Sequence, residues 1–262
     1  MDNIYLSIAG FNIKISFHQP ENTFFINRLQ AAIKTHYQGF SLAAAPKKAD
    51  FEIRICGQRV FEIIPKKIGG REKSFLNVWE HSGRNKIVTY HHISALQFQY
   101  ILKNVVLELL ARDKGFIIHA SASKVGDEAV LFTGQPGAGK STAMSLLHPK
   151  FCALADDSAI IRKIKGRFYF FQTPLTEKNS WVKKGSPGYK IKGVFFLRKS
   201  LEFKTERLDN KTAVLERLSK QLFTEERFWS YQGRYLLEFV NNTSFYSLFF
   251  AKDRRKTRQL FA

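Results

Sequence analysis

Nine consecutive residues carry the clearest chemistry in this chain: Gly134, Gln135, Pro136, Gly137, Ala138, Gly139, Lys140, Ser141 and Thr142. They fit the phosphate-binding pattern Gly-x-x-x-x-Gly-Lys-Ser/Thr. Glycines let the backbone wrap so that successive N–H groups face phosphate oxygens. A helix starting at Lys140 would add its positive N-terminal end. Lys140 would supply a mobile cation for the β- and γ-phosphates, and the Ser141 hydroxyl could ligate Mg²⁺. A chance glycine-rich turn is the bland alternative. The apolar run Ala129–Phe132 before the loop and the apolar helical run after it are the context a P-loop demands. A nucleotide with Mg²⁺ is therefore expected, with ATP and GTP not distinguished.

Leu154, Ala155, Asp156 and Asp157 follow, with Asp156 placed 16 residues beyond Lys140 at the end of a short apolar run. One carboxylate there could hold Mg²⁺, directly or through water, and the other could accept a hydroxyl proton. The competing use is a hairpin turn, for which Asp and Ser are good material. His119 lies in Phe116, Ile117, Ile118, His119, an apolar segment expected to be a strand beside the loop strand. Taken alone, such a histidine is more often a satisfied core residue than a catalytic one.

Ile118–Ala122, the phosphate loop and Ala155–Asp157 together resemble the catalytic domain of HPr kinase/phosphorylase, which is related in fold to ATP-dependent phosphoenolpyruvate carboxykinase. His119 precedes Gly134 by fifteen positions, as in that family. The resemblance covers roughly residues 115–200. It implies that Asp156 is the acid/base acting on an acceptor hydroxyl, assisted by His119. Asp157 and Ser141 would lie on the metal side and Lys140 on the phosphates, with ATP as donor. The chain looks more like the small HPr-kinase-related proteins, some of which accompany peptide-modification pathways, than like an enzyme acting on HPr itself.

The elements that must position these residues read as mixed α/β, with strands outnumbering helices. Ile4–Ala9 and Asn12–Phe17 suggest a hairpin about Gly10. Asn22–Tyr37 has Phe24, Phe25, Leu29, Ala32 and Ile33 at helical spacing behind an Asn22 cap. Phe51–Cys56, Val60–Ile64, Phe75–Trp79 and Lys86–His91 are strand-like, and Ser94–Leu110 is a long helix ended by Gly115. Beyond it, Phe116–Val125 and Glu128–Thr133 read as strands joined at Gly126 and Asp127. A helix is expected from Lys140 to about Leu147, then strands at Cys152–Ala155, Ala159–Ile164, Arg167–Phe171, Lys190–Leu197 and Ser244–Phe250. Lys211–Leu222 reads as a helix. The expected organisation is a smaller N-terminal α+β region, residues 1–113, and a phosphoenolpyruvate-carboxykinase-like P-loop catalytic domain, residues 114–262.

The chain has 262 residues, 44% of them hydrophobic, which is globular composition and excludes disordered or collagen-like classes. No apolar run approaches the roughly 18 residues needed to cross a bilayer. The N-terminus does not read as a signal peptide, and the two cysteines, Cys56 and Cys152, imply neither zinc nor a disulfide framework. A reducing, cytoplasmic setting is expected. Forty-two basic against 22 acidic residues leave a net charge of +20, and residues 160–211, with 14 basic and 4 acidic residues, hold half of the excess. Such a field attracts any polyanion. The basic loop Lys178–Lys192, with Trp181 and Tyr189, either clamps an acidic acceptor or is a solvated charged loop. Arg198 is a weaker candidate for the transferring phosphoryl group, and His91 and His92 read as surface polarity. The 25 phenylalanines mean core for the most part, with an oligomer or partner surface as their other use.

The expected function is Mg²⁺- and ATP-dependent transfer of a γ-phosphoryl group to a hydroxyl, foremost a serine of a peptide or protein. A small-molecule acceptor such as free serine or a sugar is the nearest rival, then a non-catalytic ATP-binding module. A nucleic-acid-dependent NTPase ranks last, because no nucleic-acid motif accompanies the charge.

Overall fold

The computed structural model describes residues 3–18, 23–57, 63–68, 71–76, 78–177, 179 and 181–262. The chain divides into two compact units, Met1–Val105 and Val106–Ala262. The mixed α/β class expected from sequence is borne out.

In the first unit, strands β1 (Ile4–Ile8) and β2 (Phe11–Phe17) form the expected hairpin, with Ile8 opposite Phe11. Ala9 (φ 52°) and Gly10 (φ 78°) both take left-handed backbone, the geometry whose twist matches a two-residue hairpin. Helix α1 (Thr23–His36) follows; the expected Asn22 cap lies outside the described residues. Its buried stripe is Ile26, Leu29 and Ile33, whereas Phe24 and Phe25, expected on the apolar side, are exposed in its first turn. Strands β3 (Phe51–Cys56), β4 (Ile63–Ile68), β5 (Arg71–Leu76), β6 (Trp79–His81) and β7 (Lys86–Tyr90) complete two sheets. One runs β1-β2-β3-β7-β6, and in the other β4 pairs with β5. His91 is buried, not surface polarity, and stacks on Phe25.

Helix α2 (Ala95–Arg112) starts with a reciprocal cap: Gln97 N–H donates to Ser94 Oγ at 3.2 Å, and Ser94 N–H donates to Gln97 Oε1 at 2.8 Å. Its first half belongs to the first unit and its second half to the second. The residue that reverses the chain after it is Lys114 (φ 55°), not Gly115. Gly115 is required for space instead: a Cβ there would lie 2.4 Å from Leu110 Cδ2 and 3.0 Å from the Ile161 carbonyl oxygen.

The second unit holds β8 (Gly115–His119), β9 (Ser121–Val125), β10 (Glu128–Thr133), α3 (Lys140–Leu147), β11 (Cys152–Ala155), β12 (Ser158–Ile164), β13 (Arg167–Gln172) and β14 (Tyr189–Lys199). It continues through β15 (Lys204–Arg207), α4 (Lys211–Ser219), β16 (Leu222–Phe223), α5 (Trp229–Asn242), β17 (Phe245–Phe250) and α6 (Arg254–Gln259). The single strand expected over Phe116–Val125 is broken at Ala120. Its two halves lie apart in a sheet ordered β11-β9-β10-β14-β13-β12-β8-β16, so the sheet must coil for His119 and Ser121 to be near neighbours. The strand beside the loop strand is thus β9, not the His119 strand. Leu222, expected in a helix, is in β16 because α4 stops at Ser219.

Strands β10 and β14 run parallel through the centre, with Glu128 opposite Lys190 and Thr133 opposite Phe196. Their side chains alternate between two buried faces. Val130, Phe132, Phe195 and Leu197 pack with Ala143 and Leu147 of α3 and with Phe261. Ala129, Leu131, Val194 and Phe196 pack with Val214 and Leu218 of α4 and with Leu236, Phe239 and Val240 of α5. Helices on both faces leave one open end of this layer, the C-terminal ends of β10 and β14, where parallel strands commonly present a site.

Candidate active site

The loop after β10 has three glycines at positive φ: Gly134 (145°), Gly137 (78°) and Gly139 (104°). At Gly139 the positive φ favours glycine, and a Cβ would also crowd the Phe250 ring at 3.1 Å. The turn is closed by Ala138 N–H donating to the Gln135 carbonyl at 3.1 Å. Gly139 precedes α3 and gives no side-chain cap, leaving the first-turn N–H groups of that helix for an external acceptor. Lys140 Nζ donates to the carbonyls of Gly134 (2.9 Å) and Gln135 (3.4 Å), folding the side chain over its own loop. The loop is tied to the sheet at both ends. Ser121 Oγ donates to the Lys140 carbonyl at 2.9 Å, and Thr133 Oγ1 donates to the His119 carbonyl at 3.0 Å.

The break at Ala120 thereby brings His119 to the loop. A cleft of about 480 Å³ is lined by His119, Pro136, Gly137, Gly139, Lys140, Ser141, Thr142, Asp156, Asp157 and Gln221. Of the expected site residues, Gly134, Gln135 and Ala138 fall instead on a second cleft on the other side of the loop. His119 Nδ1 is 3.0 Å from the Asp157 carbonyl oxygen and 3.8 Å from its Oδ1. A carbonyl can only accept, so Nδ1 carries the hydrogen and Nε2 of the neutral ring keeps its lone pair. The Phe223 ring meets the imidazole edge-on at 5.6 Å.

The two aspartates differ sharply. Asp157 has a side chain 42% exposed, whereas Asp156 is 2% exposed. Asn179 Nδ2 donates to Asp156 Oδ2 at 2.6 Å, while the buried Oδ1 has no hydrogen-bond partner among the described residues. Their backbone is held from below by Glu177, whose Oε2 accepts from Asp156 N–H (2.9 Å) and Asp157 N–H (3.3 Å). The other Glu177 oxygen pairs with Lys184 Nζ, which also donates to the Thr173 carbonyl at 2.9 Å. Burial pushes the Lys184 ammonium below the usual lysine range, with the Glu177 charge opposing that shift.

Glu177 and Asn179 are not singled out as site residues from sequence, and Lys184 is read there, with Lys183, Lys190 and Lys192, as a lysine of the basic loop that would grip an acidic acceptor. One signal was present: Glu177 is the single acid among residues 173–192. Part of the segment between β13 and β14 is docked on its neighbours. Val182 packs with Met144 and Ala153, and the Trp181 ring lies 4.6 Å from that of His148. Lys190 pairs in register with Glu128, at the opposite end of β10 from the phosphate loop. With about 3.3 Å per residue, five residues of strand put it roughly 16 Å from the loop end. Lys190, and Lys192 two residues on, therefore stand toward the end of the strand away from the loop. Arg198 and Lys199, at the other end of β14, adjoin the loop.

Among the described residues, no group of three or more His, Cys, Asp or Glu side chains could hold a metal by itself. No described helix is long and apolar enough to cross a membrane.

The family model described as "SynChlorMet cassette protein ScmC" matches residues 86–235, more than half of the chain, and the protein belongs to that family. No curated protein matches the sequence. Among solved structures, the chain is similar to the Hpr(Ser) kinase/phosphatase from Coxiella burnetii, with a TM-score of 0.32 and 10% identity over 51% of this chain and 78% of that one.

Proposed function

We propose that this ScmC-family protein is an Mg²⁺- and ATP-dependent kinase that phosphorylates a hydroxyl, foremost a serine of a peptide. The observation that carries the proposal is Asp156, which lines the same cleft as Lys140 and the glycine loop and whose buried Oδ1 has no hydrogen-bond partner among the described residues. Leaving such an atom unsatisfied is costly, and an incoming hydroxyl would satisfy it. The phosphate chain fits the glycine loop and the uncapped start of α3, with Lys140 turning from its loop carbonyls onto the β- and γ-phosphates. The nucleoside fits a cleft of about 350 Å³ beside Gly139 and Thr142, walled by Leu201, Phe250 and Ala251. Ser141 and Asp157 are the residues suited to Mg²⁺, which generally takes one or two protein oxygens and completes its shell with phosphates and water.

Bound magnesium would neutralise charge on the phosphate oxygens as the γ-phosphoryl group transfers. Asp156 accepts the proton of the acceptor hydroxyl, whose oxygen bonds to phosphorus as the bond to the departing ADP oxygen breaks. Asn179 fixes the carboxylate plane, and Glu177 fixes the backbone that presents both aspartates. His119, held through Nδ1, keeps Asp157 in place. Most of the rate gain comes from positioning and charge neutralisation.

The test pairs nucleotide titration with transfer from γ-labelled ATP to a peptide library. Lys140→Ala should abolish transfer and weaken Mg·ATP binding while leaving thermal unfolding unchanged, because the side chain contributes charge rather than core packing. Wild-type transfer by this variant would overturn the assignment of the loop.

A further inference from the structure

On the side of the loop away from the aspartates lies the larger cleft, about 610 Å³, between the loop backbone, the end of β14 and the end of α4. Four cations line it: Arg198, Lys199, Arg217 and Lys220. No acidic residue does. Among the described residues, no carboxylate lies within ion-pair distance of Arg198, Lys199 or Arg217. Two of these groups are held over aromatic faces: Arg198 5.8 Å from the Phe249 ring centre, and Arg217 5.8 Å from that of Phe196. Lys220 pairs only with Glu216, one turn back on an exposed helix face, a contact worth little.

From this we infer that the basic cleft is the acceptor subsite and that the acceptor is an acidic peptide; the inference rests on the kinase assignment above. The two clefts share Pro136, Gly137 and Gln221 as lining residues, so a chain lying in the basic cleft reaches the Lys140 and Asp156 site across Gln221. The nucleoside cleft reaches Thr142 and adjoins the basic cleft at Ala138 and Lys199, so Arg198, Arg217 and Lys220 are the cations that belong to the basic cleft and not to the nucleoside cleft. The basic cleft alone, about 610 Å³, exceeds what one small hydroxyl compound fills and suits several residues of extended peptide. Planar guanidinium groups match carboxylates with two parallel hydrogen bonds. Carboxylates flanking the reacting serine would therefore fix its register.

Fluorescence anisotropy of a labelled peptide with one central serine flanked by glutamates tests this, with a glutamine-flanked peptide of equal length as control. Both are measured with a saturating non-hydrolysable ATP analogue. The acidic peptide should bind at least tenfold more tightly than the neutral one. Arg198→Gln with Arg217→Gln should remove that preference, while Lys190→Gln with Lys192→Gln, at the far end of β14, should keep it. Nucleotide affinity, titrated separately, should stay within twofold in both double variants. Equal affinity for the acidic and neutral peptides, or an unchanged preference in the arginine variant, overturns the inference. So does tighter, arginine-dependent binding of a single-stranded oligonucleotide of matched charge, which would make the cleft a nucleic-acid site. Loss of nucleotide binding in the wild-type protein would instead refute the kinase assignment, and it is read independently of peptide affinity.

Discussion

Glu177→Gln isolates one charge beneath the site. The amide keeps the shape and a side-chain oxygen, so the N–H groups of Asp156 and Asp157 retain an acceptor, but Lys184 loses its counter-charge. The Glu177 side chain is 5% exposed and that of Lys184 17%, so the pair is screened little by water. Breaking a buried pair by removing one partner costs about 3–5 kcal/mol. For a unit of this size that lowers Tm by roughly 10 °C. The pH dependence gives the sharper test. Burial already holds the Lys184 pKa down, and Glu177 opposes that shift, so its removal lowers the pKa further. The unfolded chain, with an ordinary lysine, then binds more protons than the folded one, and stability rises with pH. The deficit of the variant should therefore be largest near pH 7 and shrink as pH approaches about 10, near the ordinary lysine value. Thermal unfolding of both proteins at a series of pH values reads this directly. Glu177→Gln with Lys184→Met, which removes both charges, should recover part of the loss at pH 7. A variant as stable as wild type at pH 7, or a deficit that stays constant to pH 10, would refute the reasoning.

Three further outcomes are expected. Asp156→Asn should keep Mg·ATP binding while phosphoryl transfer falls by about 10²–10⁴-fold, the usual yield of a positioned base; Asp157→Asn should instead raise the magnesium concentration needed for half-maximal transfer. Kinetics at varied magnesium distinguish the two, and normal turnover by Asp156→Asn would show the roles to be misassigned. Gly115→Ala should destabilise the second unit by about 1–3 kcal/mol, because the new methyl meets buried Leu110 at 2.4 Å and a backbone oxygen at 3.0 Å with little room to yield. Chemical denaturation measures it, and an unchanged midpoint would mean that Leu110 repacks freely.

Much of what depends on neighbours along the chain was legible in the sequence. The phosphate loop is nine contiguous residues whose glycines, lysine and hydroxyls act through local backbone geometry, and helix α3 begins and ends where the spacing puts it. The hairpin turns at Gly10 and Gly126 were equally local, because positive φ is a property of one or two residues. What lies across the fold was not. Glu177 meets Asp156 and Asp157 through hydrogen bonds spanning about twenty residues, and no short pattern encodes them. His119 reaches the loop through a strand break at an alanine, a residue without conformational signature, in a sheet that coils. Helix α5 was missed although its buried stripe, Gln232, Leu236, Phe239 and Val240, has helical spacing. The positive charge was plain from composition, but its use was not, because the direction and pairing of β14 decide which lysines and arginines stand at the loop. Lys190 and Arg198 are eight residues apart on one strand and differ only in the end of the sheet they occupy. That difference is set by the parallel register of β14 against β10, a long-range hydrogen-bond pattern that no local residue preference specifies.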